Sequence, residues 1–225
     1  MMLTDEIKDV TEKINELNRL ENNKQNEEDQ LRTDNSFRDN TEMLYKDYLI
    51  LKEAKNRLGF ELSEDTANIF DKSIQCLDQC ITGGKAQEDA VQNTNKIIAD
   101  LEKRLRKEWT SFYRNKTVNP SRQLDVGKSL LSLEEYSEHR KNIDGGQNWS
   151  DLPLTDNQGK TKLQKCADSI AYAGSLLNML KITDGVRQFL IRVSKGEATV
   201  SDLDDEVITW IRSEHREDMF GITFK

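Results

Sequence analysis

Helix breakers are scarce in this chain, and their scarcity limits most strongly what it can fold into. Only 2 prolines and 11 glycines occur in 225 residues, so a helix can run far before proline removes a backbone donor or glycine interrupts it. The composition is 35% hydrophobic, 33% charged and 7% aromatic, which is more charge and less core than an average globular domain has. The sequence therefore predicts long helices that expose much of their circumference rather than a compact enzyme.

The first segment carries apolar residues at alternating steps of four and three, which is the a/d pattern of a coiled coil. These residues are Leu3, Ile7, Val10, Ile14 and Leu17. The pattern decays through residues 21–30, after which only Leu31 continues it. An isolated helix of this kind is marginal in water. We therefore predict that this face binds either another part of the chain or a second copy of it.

Further apolar stripes at helical spacing cover residues 41–58, 63–81 and 87–113, with Gly59 placed to end the first of them. Long helices joined by short glycine turns make antiparallel neighbours. Residues 1–116 are predicted to form an antiparallel helical bundle or coiled coil, and residues 117–160 a shorter helix and a loop containing glycine, proline and asparagine. Residues 161–225 are predicted to form a C-terminal helical unit with a short extended tail. The expected fold class is all-α.

The chain ends on the apolar stretch MFGITFK, although its net charge is -8. Phe220, Ile222 and Phe224 alternate with glycine and threonine, which is typical of a strand. A lone strand has to pair or be covered. The sequence leaves two sites open for this tail, namely the chain's own core near Trp210 and Ile211 or a partner protein.

A basic segment stands out against the acidic background. Residues 102–122 hold seven lysines and arginines against two glutamates. If this helix binds nucleic acid, the cations meet phosphates while the interleaved aromatic residues stack on bases. The candidate nucleic-acid-binding residues are Lys103, Arg104, Arg106, Lys107, Trp109, Arg114, Lys116 and Arg122. We favour the other interpretation, in which the aromatic side chains pack inward and the cations face water or an acidic partner.

Short motifs of catalysis and metal binding are present only in fragments. Residues 127–129 read Gly-Lys-Ser, but the glycine and the buried strand that a phosphate-binding loop needs before them are missing. Cys76 and Cys80 share a helical face with apolar residues and are predicted to be small core residues rather than zinc ligands. His139 and His215 are flanked by charge and are predicted to be solvated. We predict no catalytic residue, no metal site and no cofactor, and hence no enzyme.

The chain has no run of ~20 consecutive apolar residues, and its first residues lack a basic start followed by an apolar segment. Its 3 cysteines are sparse and odd in number, which is typical of a reducing compartment. An isoelectric point near 5.0 argues against general adhesion to nucleic acid or to an anionic membrane. The sequence predicts a cytoplasmic protein without a membrane partner.

Residues 186–224 contain a predicted helix ending in KGEATVSDL, the EVITWI helix and the apolar MFGITF ending. With these features the C-terminal residues resemble the ends of small helical accessory proteins encoded beside large ATPases in bacterial phage-defence operons. The resemblance carries no catalytic motif, and it implies a partner that is an ATPase or a nuclease in antiviral defence. The predicted function is a non-catalytic adaptor or structural subunit. The alternative is a nucleic-acid-binding accessory protein that uses residues 103–122.

Overall fold

The computed structural model describes residues 2–153, 155, 159–179, 182–214 and 220, without the side chains of residues 2–12, 14, 17 and 179. The described residues are mainly helical, with one hairpin of two-residue strands, and this confirms the predicted all-α class. No helix in these ranges is long and apolar enough to span a membrane. The elements are α1 (Met2–Leu58), α2 (Glu64–Gln79), β1 (Ile81–Thr82), β2 (Lys85–Ala86), α3 (Glu88–Val126), α4 (Leu133–Gly145), α5 (Lys162–Met179), α6 (Asp184–Lys195) and α7 (Asp205–Ser213).

Helix α1 joins the two apolar stripes of residues 3–17 and 41–58 into one helix of 57 residues. It ends where the sequence predicts, because Gly59 adopts a left-handed φ of 76° that favours glycine. The amide of Gly59 also donates to the carbonyl of Lys55 at 3.0 Å. This bond satisfies one of the carbonyls left without an intrahelical donor at the end of the helix.

Contacts divide the chain into two compact units, which are described separately. The first contains Met1–Tyr48 and Leu62–Arg104, and the second contains Leu49–Glu61 and Leu105–Lys225. This division groups residues by contact, whereas the segments 1–116, 117–160 and 161–225 follow chain order. Those segments stay a prediction.

Helix α2 and the hairpin of β1 and β2 belong to the first unit. Ser63 caps the start of α2, because its side chain accepts a hydrogen bond from the Thr66 amide at 3.3 Å. Gly83 and Gly84 connect β1 to β2 with φ angles of 59° and 79°, as a two-residue hairpin turn with two left-handed positions requires. The prediction of a helix end in this segment is correct, and the break takes the form of a hairpin.

The core of the first unit includes Cys80, Ala86 and Val91, with Phe37 of α1 packed against them. The Cys80 side chain is fully buried, which confirms its prediction as a small core residue. Cys76 lies on α2 and is half-buried, whereas Cys80 directly follows the end of that helix.

The second unit contains an aromatic cluster around Trp109 of α3. Its indole ring lies edge-on to Phe60 with centroids 5.2 Å apart, and Trp149 lies 5.6 Å from it. Helix α3 runs past Tyr113, where the apolar stripe of the sequence ends, through Pro120 to Val126. Proline inside a helix costs about 3 kcal/mol, but the turns beyond it contribute apolar residues to the core, each stabilising by about 1.5–3 kcal/mol when fully buried.

Helices α6 and α7 complete the second unit with a separate apolar cluster. Gly196 caps the end of α6 with a left-handed φ of 69°. Asp204 caps the start of α7 by accepting a hydrogen bond from the Val207 amide at 2.8 Å. The buried members of the cluster are Val126, Leu130, Leu177, Ile182, Val186, Phe189, Leu190, Val207, Trp210 and Ile211.

Candidate interaction surfaces

Helix α1 has two different sides when the heptad register of residues 3–17 is continued along it. We call the side formed by positions a and d the heptad face. From residue 29 to residue 47, every buried or half-buried side chain of α1 occupies position b, c or f, and every side chain at a, d, e or g is exposed. The side chains at b, c and f are Asp29, Gln30, Thr33, Ser36, Phe37, Asn40, Met43, Leu44 and Asp47.

Contacts within the first unit use this packed side. The Gln30 side-chain amide donates to the carbonyl of Ala86 at 3.1 Å. The Ser36 hydroxyl lies 3.4 Å from the Asn95 side-chain oxygen of α3. Because positions c and f lie opposite positions a and d in a heptad, α1 packs within its own chain through the side that points away from the heptad face.

The heptad face is solvent-exposed wherever its side chains are described. Leu31 and Tyr45 both occupy d positions, with 61% and 63% of their surface exposed. All described side chains among residues 13–28 are exposed as well. The predicted contacts Leu3, Ile7, Val10, Ile14 and Leu17 lie on α1, and their side chains are outside the described residues.

The apolar tail is described only at Phe220. Its ring is half-buried in the chain's own C-terminal cluster, with centroids 5.5 Å from Phe189 and 6.3 Å from Trp210. This position agrees with the first of the two docking sites that the sequence leaves open. Ile222 and Phe224 lie outside the described residues.

The basic segment lies on α3 with its cations and its aromatic residues on different sides. The seven predicted cations, Lys103, Arg104, Arg106, Lys107, Arg114, Lys116 and Arg122, are all exposed. Trp109 is fully buried, and so is almost all of Tyr113. The assignment of Trp109 as a base-stacking residue is therefore wrong for this fold, since no face of its indole reaches solvent.

Trp109 and Tyr113 instead bind the C-terminal end of α4. The Trp109 indole nitrogen donates to the carbonyl of Gly146 at 2.9 Å, and the Tyr113 hydroxyl donates to that of Ile143 at 2.6 Å. Cys166 of α5 donates to the Asn142 carbonyl at 3.0 Å. Three side chains thus satisfy carbonyls that the end of a helix leaves without intrahelical donors. Burial raises the pKa of the Tyr113 hydroxyl and also that of the Cys166 thiol.

A shallow depression of about 630 Å³ lies along the exposed side of α3 in the second unit. Its lining, among the described residues, is Arg106, Lys107, Thr110, Ser111, Arg114 and Asn115. We call this surface the basic face of α3. Its three neutral polar residues are not among the predicted nucleic-acid-binding residues, although the sequence carries a signal for them, because no Asp or Glu occurs from residue 109 to residue 124.

His139 corrects a prediction, because it is half-buried between α4 and α5 instead of solvated. Its ring stacks on Tyr172 with centroids 4.0 Å apart, and its Nδ1 lies 3.1 Å from the Ser169 hydroxyl. The Asn142 amide also donates to that hydroxyl at 3.1 Å. Ser169 is only 2% exposed, so this group joins two helices and offers a substrate no access to the serine. His215 lies outside the described residues.

The remaining motif fragments are the Gly-Lys-Ser stretch and the side chains able to bind a metal ion. Residues 127–129 lie in a 3₁₀ helix directly after α3, so the strand that precedes a phosphate-binding loop is replaced by a helix. In the part of the chain that the structure describes, no group of three or more His, Cys, Asp or Glu is arranged to hold a metal ion. Comparisons with protein-family models, with curated proteins and with solved structures find no match for the chain. The resemblance of residues 186–224 to accessory subunits therefore stays a prediction.

Proposed function

We propose that this protein is a non-catalytic helical adaptor, a structural subunit that assembles a larger cytoplasmic complex through the heptad face of α1. One observation carries the proposal. Helix α1 packs within its chain only through positions b, c and f over residues 29–47, while its a and d positions there are exposed. The apolar a and d pattern stands at residues 3–17 of the same helix, and a register that the chain leaves uncovered over residues 29–47 supports a partner contact at the patterned end.

The sequence of the heptad face limits the length of the contact. Positions a and d are apolar at residues 3–17, but the next three are Glu21, Lys24 and Glu28. In a parallel pair of identical chains these charges would meet their own copies, so the apolar contact ends near Leu17. Ile7 and Ile14 at position a, with leucine at most d positions of this stretch, are the residue types that favour two strands.

The strength of this contact is limited by the small number of apolar residues in it. Burying each large apolar side chain stabilises by about 1.5–3 kcal/mol, whereas association costs about 4–15 kcal/mol before any surplus appears as affinity. Two heptads therefore support a contact of modest strength, which a second contact elsewhere on the partner would reinforce by avidity. The resemblance of the C-terminal residues adds an ATPase or a nuclease of an antiviral defence complex to the proposal as this partner.

The test is a pair of charge variants at matched positions. Ile7→Lys with Ile14→Lys places two cations at position a, and Asn15→Lys with Asn22→Lys places two cations at position b. Tagged full-length proteins are purified from the native host, bound proteins are identified by mass spectrometry, and the mass of each purified protein is measured by sedimentation velocity. We expect a specific partner or a dimer with the unmodified chain and with the b variant, and its loss with the a variant.

Two outcomes contradict the proposal. The first is an unmodified chain that sediments as a monomer and binds no protein reproducibly. The second is an a variant that keeps the same partner and mass as the b variant. Circular dichroism of both variants confirms that the helices remain formed, so loss of binding is not loss of fold.

A further inference from the structure

The basic face of α3 is a hydrogen-bond donor surface in an acidic protein. Three of its six described residues are cations, Arg106, Lys107 and Arg114, and Ser111 and Asn115 add a hydroxyl and an amide. The Thr110 hydroxyl already donates to the Arg106 carbonyl at 2.7 Å. No carboxylate contributes to this described lining, although the chain holds 41 Asp and Glu residues and a net charge of -8.

The donor set matches one class of anion. Arginine, lysine, serine, threonine and asparagine are the side chains that contact phosphate oxygens in nucleic-acid complexes. Lys107 and Arg114 are separated by seven residues, and at about 1.5 Å per residue their positions lie about 10 Å apart along the helix. Seven residues are almost two full turns, so both side chains lie on the same side of α3, where one nucleic-acid strand can contact both.

We propose that the basic face of α3 binds the phosphate backbone of a single-stranded nucleic acid. The buried aromatic residues limit how it binds. Trp109 and Tyr113 point into the core, so the exposed side offers the bases no aromatic surface from these two residues. Binding rests on charge and on phosphate hydrogen bonds, and it carries little sequence preference.

The experiment measures fluorescence anisotropy of a labelled single-stranded 20-mer RNA, and of the DNA of the same sequence, with the full-length protein. With three cations in contact and a slope of about -0.7 per contact, log affinity should fall against log salt concentration with a slope of about -2. Removing two contacts with Lys107→Glu and Arg114→Glu should weaken binding about 25-fold at 100 mM salt. Tryptophan emission should stay unchanged on binding, because no indole stacks on a base.

The matched control is Lys72→Glu with Lys141→Glu, which changes the net charge equally at exposed positions of α2 and α4. We expect it to bind within about twofold of the unmodified protein, since nonlocal charge is screened beyond about 10 Å at 0.1 M salt. Equal losses in both variants would overturn the assignment to this face. Absent or salt-independent binding of the unmodified protein would overturn the proposal as well.

A competition assay separates nucleic acid from an acidic protein partner. Poly-L-glutamate is added at the same concentration of negative charge as an unlabelled 20-mer. The proposal requires the oligonucleotide to compete at least tenfold better. Equal competition overturns it in favour of a general polyanion surface, and quenching of tryptophan emission by the oligonucleotide overturns the phosphate-only mode. Because the heptad variants leave α3 unchanged, this test is independent of the adaptor proposal.

Discussion

Replacing Tyr113 with phenylalanine removes one hydroxyl from the end of α4 and leaves the ring in place. The hydroxyl donates to the Ile143 carbonyl at 2.6 Å, and the side chain is 1% exposed. A neutral hydrogen bond contributes about 0.5–1.5 kcal/mol, and leaving a buried group unsatisfied costs about 1–3 kcal/mol. The Ile143 carbonyl keeps a second donor, the Gly146 amide at 3.3 Å. We therefore expect Tyr113→Phe to lower the free energy of unfolding at pH 7 by about 1 kcal/mol, the value for losing one neutral hydrogen bond, because the carbonyl is not left unsatisfied.

The same substitution has a pH dependence with a definite sign. Burial raises the pKa of the Tyr113 hydroxyl above its usual value, so the folded state keeps this proton when the unfolded chain, with a pKa of about 10, releases it. The protonated Tyr113 hydroxyl contributes fully to the free energy of unfolding below pH 10. At pH 10.5 this contribution is smaller by about 0.8 kcal/mol. The phenylalanine variant lacks this loss. We expect the stability difference between the two proteins to shrink by that amount between pH 7 and pH 10.5.

The assay is guanidinium unfolding under reducing conditions, followed by tryptophan emission. All 3 tryptophans, at positions 109, 149 and 210, belong to the second unit, so emission reports on the unit that contains the substitution. Tyr172→Phe is the control within the same unit, because that half-buried side chain keeps its ring stacked on His139 and its loss of a hydroxyl should change stability at pH 7 by less than about 0.5 kcal/mol. A Tyr113→Phe difference that is absent at pH 7, or constant up to pH 10.5, would refute the reasoning.

Three further outcomes are expected from the same structure. Gly146→Ala should destabilise the protein by about 1–3 kcal/mol in guanidinium unfolding, because the added methyl group meets a buried tyrosine hydroxyl and a thiol. Its control, Gly174→Ala, adds a methyl group with nothing within 4 Å and should stabilise the protein by up to about 1 kcal/mol. Phe220→Ala should cost about 1 kcal/mol, half of a full burial, and should shift tryptophan emission to the red; an unchanged spectrum would contradict its packing. In thiol labelling of the folded protein at pH 8, the half-buried Cys76 should react well before the buried Cys166; comparable rates would contradict the burial.

The helices follow from the sequence because their signals are local. The four-and-three spacing and the Gly59 stop predict α1, and the absence of a breaker between the two apolar stripes explains why they form one helix. The length of α3 is not predicted in the same way. Pro120 indicates a helix end. The helix continues because Leu124 and Val126 are buried, and Val126 packs in a cluster with residues of α5, α6 and α7 that are far from it in sequence.

The candidate surfaces, too, are predictable from the sequence only where the signal is local. The exposure of the basic residues follows from periodicity, because Trp109 aligns with the apolar stripe of α3. The environment of His139 does not, since its contact Ser169 is 30 residues away and on another helix. The packed side of α1 is also hidden from the sequence, because the side chains at positions b, c and f are mostly polar and give no hydrophobic signal.

The carbonyl end of α4 connects parts of the chain that are far apart in sequence. Its donors come from Trp109, Tyr113 and Cys166, and Gly146 leaves room for two of them. None of these residues can change freely while the others stay, because a lost donor leaves a carbonyl with one donor fewer and a methyl group added at Gly146 meets the tyrosine hydroxyl and the thiol. Across related sequences, these four positions should therefore co-vary as one group, while the exposed sides of the helices around them drift independently.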